Sequence, residues 1–267
     1  MSEILPVTDP ADPRIEGFRE VRERDLVGRR GMFVAEGEVV LKTLVEGRSP
    51  HRLQSLLIAD KRIAALMPLL DRLPAGVPVY AAPQAVMDAT VGFAIHRGIL
   101  GLGLRTAGPD LAAALAALPA RATVAVLSAI ANHDNLGGIF RNAAGFGADL
   151  VVLDSDCCDP LYRKAIRVSV GATLTVPTVL GGGIGESLEA LAAAGFELLG
   201  LSPRGETALA DYVRGERVAA VFGAEGPGLS PQALARTRTV RIPMAAGFDS
   251  LNVATTAGIV RHHLTAR

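Results

Sequence analysis

The chain has 267 residues, which is enough for one large domain or two smaller ones. Hydrophobic residues make up 49% of it, so a sizeable core can form, although aromatic residues account for only 4%. Lys and Arg together number 27, as do Asp and Glu, and this balance argues against a protein that is basic over its whole surface. A local basic patch that binds nucleic acid stays open.

The cysteine and hydropathy patterns argue against a disulfide-rich, zinc-binding, secreted or membrane protein. The only cysteines are the adjacent Cys157 and Cys158, and this spacing supplies neither a disulfide framework nor a zinc site. We expect two reduced thiols in a loop and no bound metal. The N-terminus lacks the pattern of a signal peptide, and no apolar run is long enough to span a bilayer. These features predict a cytoplasmic protein without membrane association.

The first half of the chain alternates between strand and helix patterns, which favours an α/β fold. Residues 1–13 are rich in Pro and Asp and predict a poorly ordered segment. Residues 14–30 mix Arg with acidic side chains, which is typical of a solvated helix, and an arm that contacts phosphates is the alternative. The further predicted elements are a helix over 39–46, a strand over 53–59, a helix over 63–73, a strand over 77–81, a helix from Pro83 and a strand over 98–104.

The second half alternates more clearly. A short helix over 111–118, followed by Pro119, is typical of a linker, so we predict domains over 1–118 and 119–267. Apolar strands that alternate with helices indicate a parallel sheet covered on both faces. The predicted strands cover 123–129, 150–153, 174–179, 196–201, 218–222 and 239–242, and the predicted helices cover 136–146, 162–170, 186–194 and 250–264.

Three loops follow predicted strands at the edge where open α/β sheets bind ligands. In the first, Asn135 is placed to cap the next helix, and Arg141 lies about two turns into that helix. In the second, Glu225 stands among three glycines, which let a backbone approach a ligand closely. In the third, Ser250 and Asn252 interrupt an apolar segment. Because an unpaired buried polar group costs about 1–3 kcal/mol, these two side chains suggest a site.

Each of the first two loops also has a simpler interpretation, namely a capped helix and a tight turn. Gly181 to Gly185 follows a strand but lacks the spacing of the dinucleotide-binding fingerprint, so we expect a flexible connection there. A nucleotide-dependent oxidoreductase is therefore a disfavoured alternative. His262 and His263 lie in the last turn of the closing helix, where cations are favoured, and this predicts no metal site.

Together, the three loops resemble the SpoU (TrmH-like) branch of the SPOUT RNA methyltransferases. The first matches Asn-x-Gly-x-Ile-x-Arg-x-Ala over residues 135–143. The second matches Gly-x-Glu-x-x-Gly-Leu over 223–229. The third matches Ile-Pro-Met followed by Ser-Leu-Asn-Val-Ala, within 242–254. The similarity extends from about Thr123 to the C-terminus and includes the segment 167–172.

The N-terminal half resembles, more loosely, the small substrate-binding domain related to ribosomal protein L30e. Phe33-Val-Ala-Glu-Gly and His96-Arg-Gly-Ile-Leu-Gly-Leu carry this resemblance. For the whole chain, the resemblance implies a C-terminal SPOUT domain with a parallel sheet and a deep trefoil knot, plus an N-terminal L30e-like α/β domain. It also implies a homodimer whose active sites lie near the subunit interface.

The implied activity is transfer of a methyl group from S-adenosylmethionine to a ribose 2′-hydroxyl of tRNA or rRNA. A non-catalytic RNA-binding or ribosome-associated protein that keeps the fold is the main alternative. Carried onto this sequence, the motifs assign cofactor binding to Leu201, Gly223, Ile242 and Leu251. They assign the target ribose to Arg141, with Asn135, Glu225, Ser250 and Asn252 holding Arg141, the loops or the substrate. Contact with RNA is predicted for Arg163, Lys164 and Arg167, for which a solvated helix face is the alternative.

Overall fold

The computed structural model describes residues 3–19, 27, 31–92, 95–246 and 248–265. Its contacts group the chain into two compact units. The first unit consists of Met1–Thr106 and Leu161–Thr175, and the second consists of Ala107–Pro160 and Val176–Arg267.

A five-stranded mixed sheet forms the centre of the first unit. Its strands are β1 (Ile4–Pro6), β2 (Met32–Glu36), β3 (Arg52–Ala59), β4 (Val79–Ala82) and β5 (Ile99–Leu104), in the order β1-β4-β3-β5-β2. Strands β1, β4 and β3 run parallel, whereas β5 is antiparallel to both β3 and β2. The first helices are α1 (Glu38–Val45), α2 (Asp60–Leu70) and α3 (Gln84–Val91), and a 3-10 helix covers Pro13–Phe18.

The remaining elements follow in chain order. They are α4 (Leu111–Ala116), β6 (Ala122–Leu127), α5 (His133–Gly145), β7 (Leu150–Leu153), α6 (Arg163–Val168), β8 (Thr178–Leu180), α7 (Ile184–Ala193), β9 (Glu197–Leu201), β10 (Thr207–Ala208), β11 (Arg217–Phe222), α8 (Pro231–Leu234), β12 (Arg238–Arg241) and α9 (Val253–Thr265). Short 3-10 turns cover Ala172–Leu174 and Leu209–Asp211.

The second unit is built on a seven-stranded sheet in the order β10-β12-β9-β11-β6-β7-β8, and each strand pair in it is parallel. All six residues of β6 are buried, as expected for a strand covered on both faces. Val126 pairs with Val152 of β7 on one side and with Val221 of β11 on the other. The predicted α/β fold with a parallel sheet is confirmed, and the carboxyl ends of the neighbours β12, β9 and β11 share one edge. The trefoil knot stays a prediction.

Two expectations for the N-terminal segment need correction or fall outside the structure. Residues 4–6, expected to be poorly ordered, form the edge strand β1, in which Ile4 pairs with Val79. Pro6 is compatible with this position because an edge strand has a free N–H side. Of the helix expected over 14–30, the 3-10 helix Pro13–Phe18 is observed, and residues 20–26 and 28–30 lie outside the described part.

The structural boundary between the units differs from the predicted one at 118/119. Helix α4, interpreted from the sequence as a linker, buries Ala114 and Leu115 in the core of the second unit. Helix α6 joins the first unit, because Ile166 packs in one cluster with Phe33 of β2. The assignment of RNA binding and methyl transfer to separate domains stays a prediction.

Backbone conformation explains two shifted elements. The strand expected over 174–179 begins only at Thr178, because Val170 and Gly171 take left-handed conformations, with φ of 55° and 83°, and a 3-10 turn follows. The closing helix begins at Val253, later than predicted, since Asn252 caps it. In the described part of the chain, no helix combines the length and hydropathy needed to cross a bilayer.

Candidate active site

A cavity of about 750 Å³ opens at the shared edge of β9, β11 and β12. Its walls come from the loops that follow these strands, chiefly residues 201–204, 222–229 and 249–253. The predicted cofactor residues that line it are Leu201, Gly223, Ile242 and Leu251. Ligands bind at this position in open α/β sheets, so the location and the lining both favour a binding site.

The loop after β11 is a tight backbone loop. A Cβ atom at Gly223 would collide with the backbone of Gly228 and Leu229, so only glycine fits there. Gly226 and Gly228 have positive φ values of 85° and 70°, and the Gly228 N–H donates to the Ala224 carbonyl oxygen at 3.0 Å. The glycines therefore allow main-chain groups to form the cavity wall.

The loop after β9 is held against the neighbouring strand. Nη1 of Arg241 donates to the carbonyl oxygens of Gly205 and Glu206, at 2.7 and 2.6 Å. A Cβ atom at Gly205 would collide with the backbone of Val240. Sequence reasoning missed Arg241, because nothing distinguishes this arginine from any other polar residue at the end of a strand.

Asn252 joins the three predicted loops through one side chain. Its amide Nδ2 donates to Oδ1 of Asn135 at 2.8 Å and to Oε1 of Glu225 at 3.2 Å. Its Oδ1 accepts from the backbone N–H groups of Ala254 and Thr255, at 2.9 and 3.3 Å, and so caps α9. Both amide protons and the amide oxygen are thus used, which holds the three loops in one arrangement.

The predicted capping role of Asn135 is wrong. Helix α5 begins at His133, and Oδ1 of Asn132 accepts from the N–H groups of Asp134 and Asn135, at 2.8 and 3.4 Å. Asn135 lies within the first turn and is buried, which leaves its side chain free to meet Asn252. The sequence Asn-His-Asp-Asn offers several capping residues, and its pattern alone does not select among them.

Arg141 is exposed on α5 and is not among the residues that line the cavity. It lies six residues beyond Asn135, or about 9 Å along the helix axis. The next residue, Asn142, donates from Nδ2 to the Ala254 carbonyl oxygen at 2.7 Å. Gly138 allows close packing, because a Cβ there would lie 2.7 Å from Cβ of Ala254. Arg141 thus projects into solvent from a helix that is fixed against α9.

Ser250 and Glu225 line the cavity as predicted, whereas Asn135 contacts it only through Asn252. Ser250 is exposed at the rim. Within the first unit, Lys164 and Arg167 are exposed on α6, whereas Arg163 is half-buried with Nη1 at 3.7 Å from Oε2 of Glu36. The exposed pair is therefore better placed for phosphate contact than Arg163.

The two cysteines are free and partly buried. Burial raises the pKa of the Cys157 thiol to about 12 and that of Cys158 to about 11, so both are protonated at neutral pH. Sγ of Cys157 donates to the Leu127 carbonyl oxygen at 3.3 Å. These thiols are structural, because a thiolate is needed for nucleophilic attack or metal binding. No group of three His, Cys, Asp or Glu side chains in the described residues is arranged to hold a metal ion.

Comparison with known proteins decides the family. A family model described as the SpoU rRNA methylase family matches residues 122–262. The chain belongs to the SpoU rRNA methylase family. The matched region of this SpoU protein begins at the first residue of β6 and ends in α9, so it contains all three loops around the cavity.

Similarity extends over the whole chain. An uncharacterised tRNA/rRNA methyltransferase of Mycobacterium bovis is 40% identical over 273 residues, which cover 98% of this SpoU protein and 92% of the relative. The AdoMet-bound rRNA methyltransferase from Sinorhizobium meliloti has a TM-score of 0.83 at 20% identity, covering 98% of this chain and 97% of that one. A structure described as an RNA 2′-O ribose methyltransferase has a TM-score of 0.79 at 22% identity, covering 97% and 98%. The fold of this chain is the one these solved methyltransferases share.

Proposed function

We propose that this protein transfers a methyl group from S-adenosylmethionine to a ribose 2′-hydroxyl of tRNA or rRNA, and that it acts as a homodimer. The observation that carries the proposal is the hydrogen-bonded junction at Asn252, which brings all three SpoU-like loops to one cavity. The name of the Mycobacterium bovis relative supports an RNA substrate. The names of the two solved structures support the cofactor and the ribose acceptor.

The residues of the cavity fit S-adenosylmethionine. Its volume lies within the range of about 300–1,000 Å³ that is typical of small-molecule sites. Leu201, Ile242 and Leu251 supply apolar surface, and the backbone around Gly223 supplies hydrogen-bonding groups without an intervening side chain. When bound, S-adenosylmethionine supplies a methyl group on a sulfonium sulfur that leaves as a neutral thioether. The chain therefore needs no acid for the leaving group.

The proposed role of Arg141 follows from its chemistry. A guanidinium has a pKa above about 12 and is a poor base, but it binds phosphate in a bidentate manner. We assign Arg141 to clamping a phosphate of the substrate and to stabilising the ribose oxygen as it becomes anionic. The hydroxyl proton is released to water late in the transfer, as the bond from the oxygen to the methyl carbon forms and the bond from that carbon to sulfur breaks. Alignment of bound reactants of this kind can contribute about 7–11 kcal/mol.

The exposure of Arg141 supports the proposed homodimer. This side chain faces solvent and does not line the cavity of its own chain. A second copy would place the partner subunit's Arg141 at the cavity, where it would supply the cation that we assign to the ribose oxygen. Light scattering should give the mass of two chains.

RNA contact in this proposal includes the exposed Lys164 and Arg167. Phosphate contacts give a negative slope in log affinity against log salt, and removing one contact reduces that slope by about one. A salt titration of tRNA affinity should therefore show a negative slope that becomes shallower in Lys164→Gln. A flat slope in the wild-type protein would contradict RNA binding.

The proposal is tested on RNA from a strain that lacks the gene. The purified protein with labelled S-adenosylmethionine should methylate this RNA and leave RNA from the parent strain unlabelled, because the parental site is already filled. Mass spectrometry of the digested nucleosides should find one 2′-O-methylated nucleoside that is depleted in the deletion strain. Cofactor binding without methylation of any RNA would instead favour the non-catalytic alternative.

A further inference from the structure

A second cavity of about 410 Å³ adjoins the first one. The two share the lining residues Pro203, Arg204, Ile242, Met244 and Asp249, so they are neighbours with part of their walls in common. If the first cavity holds the methyl donor, the acceptor must enter a space that borders it, since reacting atoms must approach to about 3–3.5 Å. The second cavity meets this requirement by position.

One wall of the second cavity is held in place by the protein itself. The Gly205 N–H donates to the Ser202 carbonyl oxygen at 3.0 Å and closes a turn that presents Arg204. Arg241 fixes the far side of the turn through the carbonyl oxygens of Gly205 and Glu206. Arg204 therefore stands on a fixed turn at the junction of the two cavities.

Phe248 lines the second cavity and does not line the first. Its backbone N–H donates to the Ala245 carbonyl oxygen at 3.1 Å, and its side chain is 72% exposed. Proteins that bind single-stranded RNA use exposed aromatic faces of this kind to stack bases. Pro243 and Met244 extend the apolar surface beside it.

Three charged residues line the second cavity, namely Arg204, Arg241 and Asp249, and they differ in whether they already have hydrogen-bond partners in the protein. The guanidinium of Arg241 is committed to two carbonyl oxygens. Arg204 is exposed, and its side chain makes no hydrogen bond or ion pair with other described residues. Asp249 is exposed at the same junction. A phosphate would approach Arg204 and avoid Asp249, whereas the N–H groups of a base would approach Asp249.

We propose that the second cavity seats the acceptor nucleotide, with its unstacked base on Phe248 and its phosphate at Arg204. The assignment rests on the proposed function and specifies its substrate as a nucleotide turned out of single-stranded or looped RNA. Phe248 supplies stacking that tolerates different bases, and Asp249 selects an edge that presents N–H donors.

The test compares Phe248→Ala with Phe248→Tyr, which keeps an aromatic face. The matched control is Val213→Ala, an apolar side chain that is 87% exposed and lines neither cavity. With RNA from the deletion strain as substrate, Phe248→Ala should lower kcat/KM for RNA about tenfold, within the range for loss of one base stack. Phe248→Tyr and Val213→Ala should stay within about twofold of wild type by the same measure.

Two further measurements separate the proposal from other roles of these residues. Affinity for S-adenosylhomocysteine, measured by calorimetry, should be unchanged in Phe248→Ala. Arg204→Gln should weaken RNA binding and reduce its salt slope by about one. Wild-type kinetics in Phe248→Ala, or a change of its mass in light scattering, would overturn the proposal, since the latter assigns Phe248 to a subunit contact. If the wild-type protein itself methylates no RNA, it is the proposed function that fails.

Discussion

Polar side chains at the two ends of the parallel sheet in the second unit differ in their hydrogen bonding and burial. At the carboxyl end, Asn252 donates hydrogen bonds to Asn135 and to Glu225 beside an open cavity. At the amino end, Arg261 is 1% exposed, and only its Nη2 has a partner, the Phe146 carbonyl oxygen at 3.1 Å. Its Nε and Nη1 have no hydrogen-bond partner among the described residues. The polar side chains at the carboxyl end are thus hydrogen-bonded to one side chain beside the cavity, whereas the amino end buries the charged side chain of Arg261.

The electrostatics of Arg261 sharpen this contrast. Burial lowers its pKa to about 10, the Asp149 carboxylate opposes this shift, and the nearby Arg214 adds to it. Since the folded-state pKa lies below the ordinary value of 12.5, the folded protein holds this proton less tightly than the unfolded chain. This group therefore lowers stability at neutral pH, and that cost diminishes as the pH rises from about 10 towards 12.5. Substitutions at the carboxyl end should alter activity, and those at the amino end should alter stability.

The largest effect is expected for Arg141→Ala. Loss of a group that stabilises a developing oxyanion lowers kcat about 10²–10³-fold. Affinity for S-adenosylmethionine should stay within a few-fold of wild type, because Arg141 is assigned to the RNA phosphate and the ribose oxygen and not to the cofactor. Single-turnover methylation and calorimetry measure the two effects. Near-normal methylation by this variant would remove Arg141 from the proposed mechanism.

Gly223→Ala should have the next largest effect. The added Cβ has no room against the backbone of Gly228 and Leu229, so the loop must shift. A displacement of about 1 Å near reacting atoms can lower turnover about a hundredfold. Gly145→Ala is the matched control, because nothing lies within 4 Å of its added Cβ. Equal turnover rates in the two variants would show that the glycine loop has no part in the site.

Substitutions at Asn252 can separate its capping of α9 from its hydrogen bonds to Asn135 and Glu225. Asn252→Ala removes both, and the lost cap should lower the free energy of unfolding by about 1 kcal/mol. Asn252→Ser keeps a side-chain oxygen that can cap α9 but is too short to reach Asn135 or Glu225. Both variants should lose turnover about tenfold, as expected for lost hydrogen bonds, with Asn252→Ser the more stable of the two. Thermal unfolding measures the effect of the cap and methylation assays measure the effect of the junction. Full activity in Asn252→Ser would argue against a role for the junction.

The smallest effect is expected at the amino end. Arg261→Met removes a buried charge with two unpaired nitrogen atoms and keeps most of the side-chain volume. Replacing a buried charge by a well-packed apolar group is often stabilising, so we expect a gain of about 1 kcal/mol at neutral pH. Methylation should be unchanged. Denaturant unfolding at pH 7 provides the measurement, and a marked loss of stability would show that the bond to Phe146 outweighs the cost of burial.

Much of the second unit could be predicted because its signals are local. The apolar runs of β6, β7 and β11 are typical of strands buried on both faces. The three loops could be located because glycine, proline and small polar residues interrupt these runs. That the loops meet at one cavity is what the structure adds, since this depends on strand order β12-β9-β11.

The features that sequence reasoning missed depend on distant contacts. Strand β1 is only three residues long and exists through its pairing with β4. Helix α6 follows β7 in the chain but packs with β2. Asn132 and Asn135 are equally good capping residues by type. Only the hydrogen bond between Asn135 and Asn252, which lies 117 residues further along the chain, distinguishes their roles. Local propensity contains no information about such partners.

The central claim is that the three loops form one pocket for a methyl donor, and calorimetry with S-adenosylmethionine tests it most directly. We predict saturable binding at one site per chain in the wild-type protein and much weaker binding in Gly223→Ala. Absence of binding to the wild-type protein, or equal binding to both proteins, would contradict the claim.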